Sequence, residues 1–385
     1  MRHLPTVLLL SLPACGGASR ADEDGDGFSP AQGDCDDTDP AVNPDATEVP
    51  YDNVDQDCDP DNDGRLVFTA LLDVEGLTGP AGPRFAADGD LVMTSTVWTG
   101  GGLDGSTWTG HPFDAGTAAP LAVRTEVLEG GDPAIELGPV VDAVLRGEDT
   151  YLATSVVTGA GDLRATALQL PAAGGWIWSG YGPSGVTEHF EDVAIGDSDG
   201  ALDVAACGSS AIYWLSGTPT TFQSGTFEHA RATVSASRCE VQGAEVRALD
   251  ADGTVTAWDA SADPMVAGET WSGVVDLAWE PEGMLLARAD GLRWVGAGDP
   301  VDQVTAEPPV QIRADVSPDG VLFAVYATGA GDLYLVHGPP EGPWAEVALG
   351  AGLATDDLDV EATEDALFVG ARSDDLVRLA TTRRP

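Results

Sequence analysis

The stretch DGVLFAVYATGAGDLYLV, residues 319–336, contains the pattern that decides the fold. An Asp-Gly turn precedes an apolar strand, a Gly-rich turn follows, and a second apolar strand comes next. Turns of this kind precede apolar strands at seven places: Asp88-Gly89, Gly147-Glu148-Asp149, Asp199-Gly200, Gln242-Gly243, Glu282-Gly283, Asp319-Gly320 and Glu364-Asp365. Residues 65–385 therefore consist of a repeated β unit of about 46 residues, without a clear amphipathic helix.

A period of this length is typical of β-propeller blades. We therefore predict an all-β fold, a seven-bladed β-propeller over residues 65–385, preceded by a small irregular Asp-rich module. The opening strand at 66–72 should complete the last blade beside residues 376–380, because closing the ring removes the exposed sheet edges. The unit resembles the β-propeller superfamily, and Trp258-Asp259 matches the WD signature once. The alternative fold is a pair of β-sandwiches, whose strands would lack the period.

The composition is strongly acidic. The chain of 385 residues has 64 Asp and Glu against 17 basic residues, and its formal net charge is −47. Nucleic-acid binding requires a basic surface, so this class of function is excluded. The same charge argues against electrostatic docking on anionic lipids.

The N-terminus predicts export and lipid anchoring. Met1-Arg2-His3 precedes an apolar run at 4–14, which is shorter than the roughly 20 residues needed to span a bilayer. The run ends in Leu12-Pro13-Ala14-Cys15, which resembles a bacterial lipobox. This resemblance implies a signal peptide at 1–14, lipidation of Cys15, a tether at 15–20, and a place in the outer membrane or at the cell surface. The alternative is an ordinary secretory signal with a chance cysteine.

Residues 21–64 form an acidic module with 16 Asp and Glu and no basic residue. Asp22, Asp24 and Asp26 alternate with residues that include the turn-forming Gly25, as in the first half of a calcium loop. The helix–loop–helix version of that loop fails, because Gly33 occupies the position of the final Glu. The alternative is a disordered, solvated tail.

Cysteine spacing supports a folded module. If Cys15 carries lipid, four of the five cysteines remain, and they form two local pairs, Cys35 with Cys58 and Cys207 with Cys239. A disulfide between Cys35 and Cys58 would hold two acidic loops together, as a module with so small a core requires. A disulfide between the other pair would join neighbouring blades; the alternative is two buried free thiols.

The spacing of Asp-x-Asp-Gly-Asp-Gly, Asp-Cys-Asp-Asp and Asp-x-x-Asp-x-Asp-Cys-Asp within 22–59 resembles two families of Asp-rich repeats. One is the "putative metal-binding motif" of bacterial surface proteins, named after a copper-binding protein, and the other is the thrombospondin type 3 calcium repeat. We predict two Ca²⁺ sites from the available oxygens. The first set is Asp22, Asp24, Asp26, the Phe28 carbonyl and Asp37, and the second is Asp36, Asp39, Asp52, Asp55 and Asp57. Copper is disfavoured, because the module contains no His or Met.

A further acidic loop at 196–204 resembles a single FG-GAP-type calcium loop. Its oxygens would come from Asp197, Asp199 and Asp203. The alternative is an ordinary Asp-Gly hairpin turn.

No catalytic motif is recognisable, and the histidines fall in different repeat units. Trp98 and Trp108 lie in a Gly- and Thr-rich stretch and are candidates for exposed recognition residues. The sequence therefore favours a non-enzymatic surface lipoprotein, in which a calcium-ordered acidic stalk presents a propeller for protein or glycan binding. The alternatives are a propeller hydrolase or lyase with its site at the axial mouth, and a surface copper-binding protein.

Overall fold

The computed structural model separates into two compact units, one ending at Arg65 and the other spanning Leu66–Arg384. It describes residues 21–46, 54–59, 69–75, 84–89, 91–99, 106–117, 119–128, 136–157, 163–175, 177–181, 190–198, 200–224, 226–352, 357–364, 366–373 and 376–383. Within these ranges no helix is both long enough and apolar enough to cross a membrane. The lipobox and Cys15 lie outside the described residues.

In its described residues, the second unit is built from strands and one short helix, α1 (Pro219–Ser224). The first fourteen strands are β1 (Thr69–Glu75), β2 (Arg84–Asp88), β3 (Leu91–Thr99), β4 (Ser106–Asp114), β5 (Arg124–Leu128), β6 (Glu136–Arg146), β7 (Asp149–Val157), β8 (Leu163–Leu170), β9 (Ile177–Tyr181), β10 (Phe190–Ser198), β11 (Ala201–Gly208), β12 (Ile212–Gly217), β13 (Glu228–Ala232) and β14 (Arg238–Gln242). The second fourteen are β15 (Glu245–Leu249), β16 (Thr254–Asp259), β17 (Val266–Ser272), β18 (Val274–Glu280), β19 (Gly283–Arg288), β20 (Gly291–Gly296), β21 (Val301–Gln303), β22 (Pro309–Val316), β23 (Leu322–Thr328), β24 (Leu333–Gly338), β25 (Ala345–Gly350), β26 (Asp357–Ala362), β27 (Ala366–Ser373) and β28 (Leu376–Arg383).

These strands form seven four-stranded antiparallel sheets. Six sheets each contain four consecutive strands, beginning with β2–β5 and ending with β22–β25. The seventh combines β26, β27 and β28 with β1, so its outer strand comes from the other end of the unit. In this sheet Thr69 pairs with Thr381 and Glu75 pairs with Leu376. The predicted closure between the opening strand and the last strand is confirmed.

The first strand of each sheet contacts the first strand of the next sheet, and β26 contacts β2 to complete the circuit. The first strands are β2, β6, β10, β14, β18, β22 and β26. Such a ring leaves only short sheet edges at the periphery. The predicted all-β propeller is confirmed.

The apolar runs that define the sequence repeat are the second strands of the seven sheets. All seven residues of β23 are buried, because this strand packs between the neighbouring sheets on both faces. The outer strand β17 is exposed along almost its whole length. The second strand β23 is therefore an interior strand of its sheet, whereas the fourth strand β17 lies at the periphery of its own sheet.

Each predicted turn joins the first and second strands of one sheet. Gly320, between β22 and β23, has a φ of 86°, and a Cβ atom added there would meet no atom within 4 Å. The requirement for glycine therefore comes from the left-handed backbone and not from lack of space.

The first unit has no strand or helix in its described residues, 21–46 and 54–59. Its chain is held by turns and by a disulfide between Cys35 and Cys58, as predicted. The backbone N–H of Asn43 donates to the carbonyl of Gln56 at 2.7 Å. Val42 is 4% exposed, so this unit has a small apolar centre of its own.

The predicted disulfide between Cys207 and Cys239 is not formed. The two residues lie on neighbouring sheets, in β11 and β14, as buried free thiols. Burial raises the pKa of both thiols, and a hydrogen bond joins them. The thiolate, which is the form that reacts to give a disulfide, is therefore disfavoured here.

Candidate metal centre and axial cavity

The loop that begins at Asp22 brings three carboxylates together. One oxygen from each of Asp22, Asp24 and Asp26 lies within 4.8 Å of the other two. The loop curls because Gly25 and Gly27 adopt positive φ values of 86° and 106°. Asp22 fixes this shape, since its carboxylate accepts hydrogen bonds from the N–H groups of Gly25 at 2.6 Å and Gly27 at 3.1 Å.

Asp24 and Asp26 each use one carboxylate oxygen to hold the loop. Oδ1 of Asp24 accepts from the N–H of Asp26 at 3.2 Å, and Oδ1 of Asp26 accepts from the N–H of Phe28 at 2.8 Å. Their Oδ2 atoms are buried without a hydrogen-bond partner among the described residues. Burial, together with Asp26, Asp22 and Asp37, raises the pKa of Asp24. A cation at this place would satisfy both oxygens.

Asp37 also belongs to this region. Its Oδ1 accepts a hydrogen bond from the N–H of Glu23 at 3.1 Å, which joins the second acidic loop to the first. Of the first predicted ligand set, the structure thus brings together the carboxylates of Asp22, Asp24 and Asp26, with Asp37 anchored at the start of the same loop.

The second predicted ligand set is not assembled in the described residues. The carboxylates of Asp36, Asp39 and Asp57 accept hydrogen bonds from residues two positions ahead: Thr38 at 3.3 Å, Ala41 at 3.0 Å and Asp59 at 3.0 Å. These are local Asx turns, which use the oxygens for backbone geometry. Asp52 lies outside the described residues. Asp55 differs from the others, because its Oδ1 is buried without a partner in the described ranges.

Sequence reasoning missed Asp34, which is only 6% exposed. Its Oδ1 accepts from the N–H of Asp36 at 2.9 Å, while its Oδ2 is buried with no partner in the described part of the chain. The available signal was its place beside Cys35, because a bridged cysteine fixes the direction of its neighbours.

The donor atoms of this region decide which metal fits. They are carboxylate oxygens, and residues 21–64 contain no His or Met. The two cysteines are consumed in the disulfide. Hard oxygen donors fit Ca²⁺, whereas copper prefers imidazole, thiolate or thioether donors.

The loop containing Asp197 is a hairpin turn between β10 and β11. Arg146 engages both oxygens of Asp197, with Nε and Nη2 donating at 2.5 and 2.7 Å. Asp203 accepts a hydrogen bond from the hydroxyl of Ser198. Asp199 lies outside the described residues. The predicted metal loop is therefore replaced by a hairpin, because an arginine from the neighbouring sheet takes the carboxylate that would bind the ion.

The first strands of the seven sheets surround an axial cavity of about 280 Å³. Its charged lining residues are Arg84, Asp142, Asp192, Asp197, Arg238, Glu240, Glu280, Arg313 and Asp359. Five ion pairs run around one level of the ring: Arg84–Asp357 at 2.8 Å, Arg313–Asp357 at 3.4 Å, Arg313–Asp276 at 3.6 Å, Arg238–Asp276 at 3.1 Å and Arg238–Asp192 at 3.4 Å. Three arginines therefore alternate with three aspartates from six different sheets.

Carboxylates also join neighbouring sheets through the backbone. Five aspartates accept an N–H from the first strand of the next sheet: Asp142 from Ile195 at 2.9 Å, Asp192 from Cys239 at 2.9 Å, Asp276 from Ile312 at 2.9 Å, Asp315 from Ala362 at 2.6 Å and Asp359 from Phe85 at 2.6 Å. Charge-assisted hydrogen bonds of this kind are stronger than neutral ones. The acidic first strands thus hold the ring together.

The pKa values of the carboxyl groups around the cavity are shifted in opposite directions. Burial alone would raise the pKa of Asp357, but Arg84 and Arg313 hold it below its ordinary value. Burial raises the pKa of Glu240 to about 8 against the attraction of Arg238, and that of Asp359 to about 7 against the attraction of Arg84. Burial and the charge of Asp315 raise the pKa of Glu280 and Glu361. Part of the cavity therefore contains more carboxyl groups than its arginines can neutralise.

The aromatic candidates do not form a recognition surface in the described residues. Trp108 is fully buried, and the guanidinium of Arg124 lies 5.4 Å from its ring centre. Its predicted exposure is wrong, because the Gly- and Thr-rich residues around it form β4 instead of a loop. The side chain of Trp98 lies outside the described part of the structure.

Comparisons with known proteins agree with this division of the chain. Residues 34–64 match the family model for a "Putative metal-binding motif", whose name refers to copper binding. No curated protein matches the sequence significantly.

Solved structures share the fold at low sequence identity. A chain of the mitotic checkpoint complex has a TM-score of 0.53 at 11% identity, covering 84% of this chain and 94% of that one. Sqt1 of Saccharomyces cerevisiae has a TM-score of 0.50 at 11% identity, with coverages of 82% and 99%. The BP39L lectin of Burkholderia pseudomallei has a TM-score of 0.50 at 14% identity, with coverages of 78% and 96%. The chain thus combines a match to the "Putative metal-binding motif" family at residues 34–64 with a β-propeller fold.

Proposed function

We propose that the protein is a non-enzymatic lipoprotein of the outer membrane or cell surface. In this proposal, lipid on Cys15 anchors the chain, residues 21–64 form a Ca²⁺-ordered stalk, and a seven-bladed propeller binds a protein or glycan ligand. The fold similarity to a lectin is compatible with a glycan ligand.

One observation carries the choice of binding over catalysis. The arginines and most aspartates of the axial cavity are engaged with one another and with backbone N–H groups of neighbouring sheets. A catalytic acid, base or anion-binding arginine has to face its substrate. Because these groups hold the ring together, we assign them an architectural role and place recognition on the loops of the propeller face.

The test is ligand capture with the full chain purified in detergent. The protein is applied to a glycan array and, separately, used as bait for extracellular proteins of the source cells, with heat-denatured protein as the control. We expect saturable binding of one ligand class, and mass spectrometry should recover that ligand unchanged after prolonged incubation. Conversion of a captured ligand into products would contradict the non-enzymatic assignment.

A hydrolase remains the second candidate, favoured by one specific observation. Glu240 and Asp359 line the axial cavity, and their raised pKa values of about 8 and 7 suit proton transfer near neutral pH. If they are catalytic, Glu240→Gln abolishes turnover of a captured glycan while leaving its binding intact. If the protein only binds, wild type and variant both leave the glycan uncleaved.

Lipid anchoring is tested independently of the ligand. In cells, Cys15→Ser should move the protein from the membrane fraction to the soluble fraction and abolish labelling by a fatty-acid analogue. Cys207→Ser is the matched control, because that thiol is buried in the propeller and should leave labelling unchanged. Unchanged labelling of the Cys15 variant would contradict the anchor.

A further inference from the structure

One junction of the propeller ring differs from the other six. Five junctions have an aspartate that accepts an N–H from the next first strand, and at a sixth Asp88 of β2 accepts one from the turn after β6. The junction between β14 and β18 has no such bond in the described residues, which include both strands in full. It is joined instead by the side-chain amide of Gln242, which donates to the carbonyl of Trp279 at 3.1 Å, and by the ion pair of Arg238 with Asp276.

Two glutamates lie on the two sides of this junction and line the axial cavity, Glu240 on β14 and Glu280 at the end of β18. One oxygen of Glu240 accepts a hydrogen bond from Nη2 of Arg238 at 2.7 Å. Glu280 is only partly exposed, and it makes no hydrogen bond or ion pair within the part of the chain that the structure describes. A carboxylate enclosed by protein without a partner is costly, so it holds a proton or a cation.

The charges around the cavity determine the sign of a ligand that fits it. Its lining contains six carboxyl groups and three guanidinium groups. The guanidinium groups of Arg84, Arg238 and Arg313 are all engaged with aspartates of the ion-paired ring. An anion would therefore find each guanidinium in the lining already paired, whereas a cation would find the carboxylate of Glu280.

The spacing of these carboxyl groups favours an organic cation over a metal ion. Among the described residues, the one grouping of three carboxylates with oxygens within 4.8 Å of one another is in the loop that begins at Asp22, outside the propeller. A metal ion needs such convergence, since Ca²⁺ takes six to eight oxygens at about 2.3–2.6 Å. An ammonium group needs only a few acceptors, and a cavity of about 280 Å³ has room for a short carbon chain. Ala194, Ala278 and Ala314 also line the cavity and offer apolar surface to that chain.

We propose that the axial cavity binds a small aliphatic amine, whose ammonium group is held by Glu280 and Glu240 at the junction of β14 and β18. The site is separate from the face loops that bind the proposed protein or glycan, so neither proposal depends on the other. Asp197 and Pro281 line the cavity and are exposed, so the amine can enter at the end where β10 and β18 turn.

Amine binding is coupled to proton release. Burial raises the pKa of Glu240 to about 8 and also raises that of Glu280, so these carboxyl groups hold protons near pH 7. An entering ammonium group favours the ionised form, so a carboxyl O–H bond breaks and its proton passes to the buffer. The other charged groups around this pair are Arg84, Asp142, Asp192, Asp197, Arg238, Asp276, Glu282, Arg313, Asp315, Asp359 and Glu361.

The experiment is calorimetric titration of the full chain with 1,4-diaminobutane at pH 7, comparing wild type, Glu280→Gln and Glu282→Gln. Glu282 is exposed and lies in the turn after β18, so its substitution removes the same formal charge outside the cavity. We expect Glu280→Gln to weaken binding about tenfold or more, because a charge-assisted hydrogen bond is lost. Glu282→Gln should change it about twofold or less, because exposed charges are screened. The uncharged analogue 1,4-butanediol should not bind.

Three outcomes would overturn the proposed site. They are the absence of saturable diamine binding by wild type, equal affinities of the two variants, and equal binding of the diol. Competition by CaCl₂ for the binding that Glu280→Gln removes would overturn the choice of an amine over a metal ion. Near-UV circular dichroism shows whether each variant is folded, and Glu240→Gln, which removes the other acceptor, replaces a Glu280 variant that is not.

A second measurement uses wild-type protein alone. Titrations in phosphate and in HEPES, whose ionisation enthalpies differ, should give different heats, because binding releases protons from Glu240 and Glu280. Exposed carboxylates are already ionised at pH 7 and release none, so the difference separates the cavity from the acidic surface. Equal heats in the two buffers would overturn the assignment of these two glutamates as the partners of the amine.

Discussion

Buried carboxylates occur in both units of the protein, but their counter-charges come from different sources. In the axial cavity, Arg84, Arg238 and Arg313 pair with aspartates from neighbouring sheets. Residues 21–64 contain 16 Asp and Glu without one basic residue, so this unit supplies no counter-charge of its own. The comparison teaches that buried aspartates of the axial cavity have arginine partners within the propeller, whereas the acidic unit has no basic residue of its own.

Removing an arginine from the cavity should produce the largest effect. Arg238→Met leaves Asp192 and Asp276, both 6% exposed, without a shared cation. Loss of one partner from a buried ion pair typically costs about 3–5 kcal/mol. Denaturant unfolding of the propeller should show a loss of this size. A loss under about 1 kcal/mol would mean that the ion-paired ring does not stabilise the fold.

Removing divalent cations should affect only the acidic unit. With sites of about 10⁻⁴–10⁻³ M, chelation from 10 mM Ca²⁺ should cost this unit about 1–3 kcal/mol. Hydrogen exchange should accelerate in the amides of 21–46 and 54–59, while those of β11 and β23 stay protected. Faster exchange in both units, or in neither, would contradict the proposed division of roles.

A smaller effect is expected from the unbalanced carboxyls of the cavity. Because the pKa of Glu240 is about 8 and that of Asp359 about 7, the folded protein holds protons that the unfolded chain releases near pH 4–5. Stability should therefore fall as the pH rises from about 5 to 8.

Glu280→Gln tests this pH dependence, since burial and Asp315 raise the pKa of Glu280. The variant should have a higher Tm than wild type at pH 8, and the gain should be smaller at pH 5. An equal gain at both pH values would show that the charge of Glu280 is not responsible.

The smallest effect should come from an ion pair at the surface. Arg293 donates to Asp302 at 2.6 and 2.7 Å, but their side chains are 34% and 60% exposed. Arg293→Gln should cost about 0.5 kcal/mol or less, because water screens the pair. A cost near that of Arg238→Met would show that burial is not the source of the difference.

The fold could be predicted from the sequence because its signals are local and repeated. Each of the seven turns joins the first and second strands of one sheet, and the apolar run after it is an interior strand of that sheet, fully buried in the case of β23. Pairing of β1 with β28 followed from the need to hide sheet edges. Each repeat unit contains its own turn and apolar run, so the sheets could be predicted without knowledge of contacts between units.

The site was harder to predict from the sequence than the fold, because its geometry depends on contacts between residues far apart in the chain. Asp197 has the spacing of a metal ligand, yet Arg146 from another sheet takes its carboxylate. Asp34 belongs to the Asp-Cys-Asp-Asp spacing, but that spacing does not show that its carboxylate is among the most buried in the acidic unit. The arginines of the cavity lie far apart in sequence and meet only through ring closure.

The pairing of β1 with β28 also determines the order in which the sheets can be completed during folding. During synthesis β1 emerges before every other strand of the propeller, and its partner β28 emerges after all of them, so the seventh sheet is completed only after the other six have been synthesised. The entropy of closing so long a loop grows slowly with its length, about 0.6 kcal/mol for each doubling, so the delay affects rate more than equilibrium. Until β28 arrives, β1 is an unpaired strand edge that can associate with other chains. The interval before ring closure is therefore the period in which this protein most needs protection from aggregation.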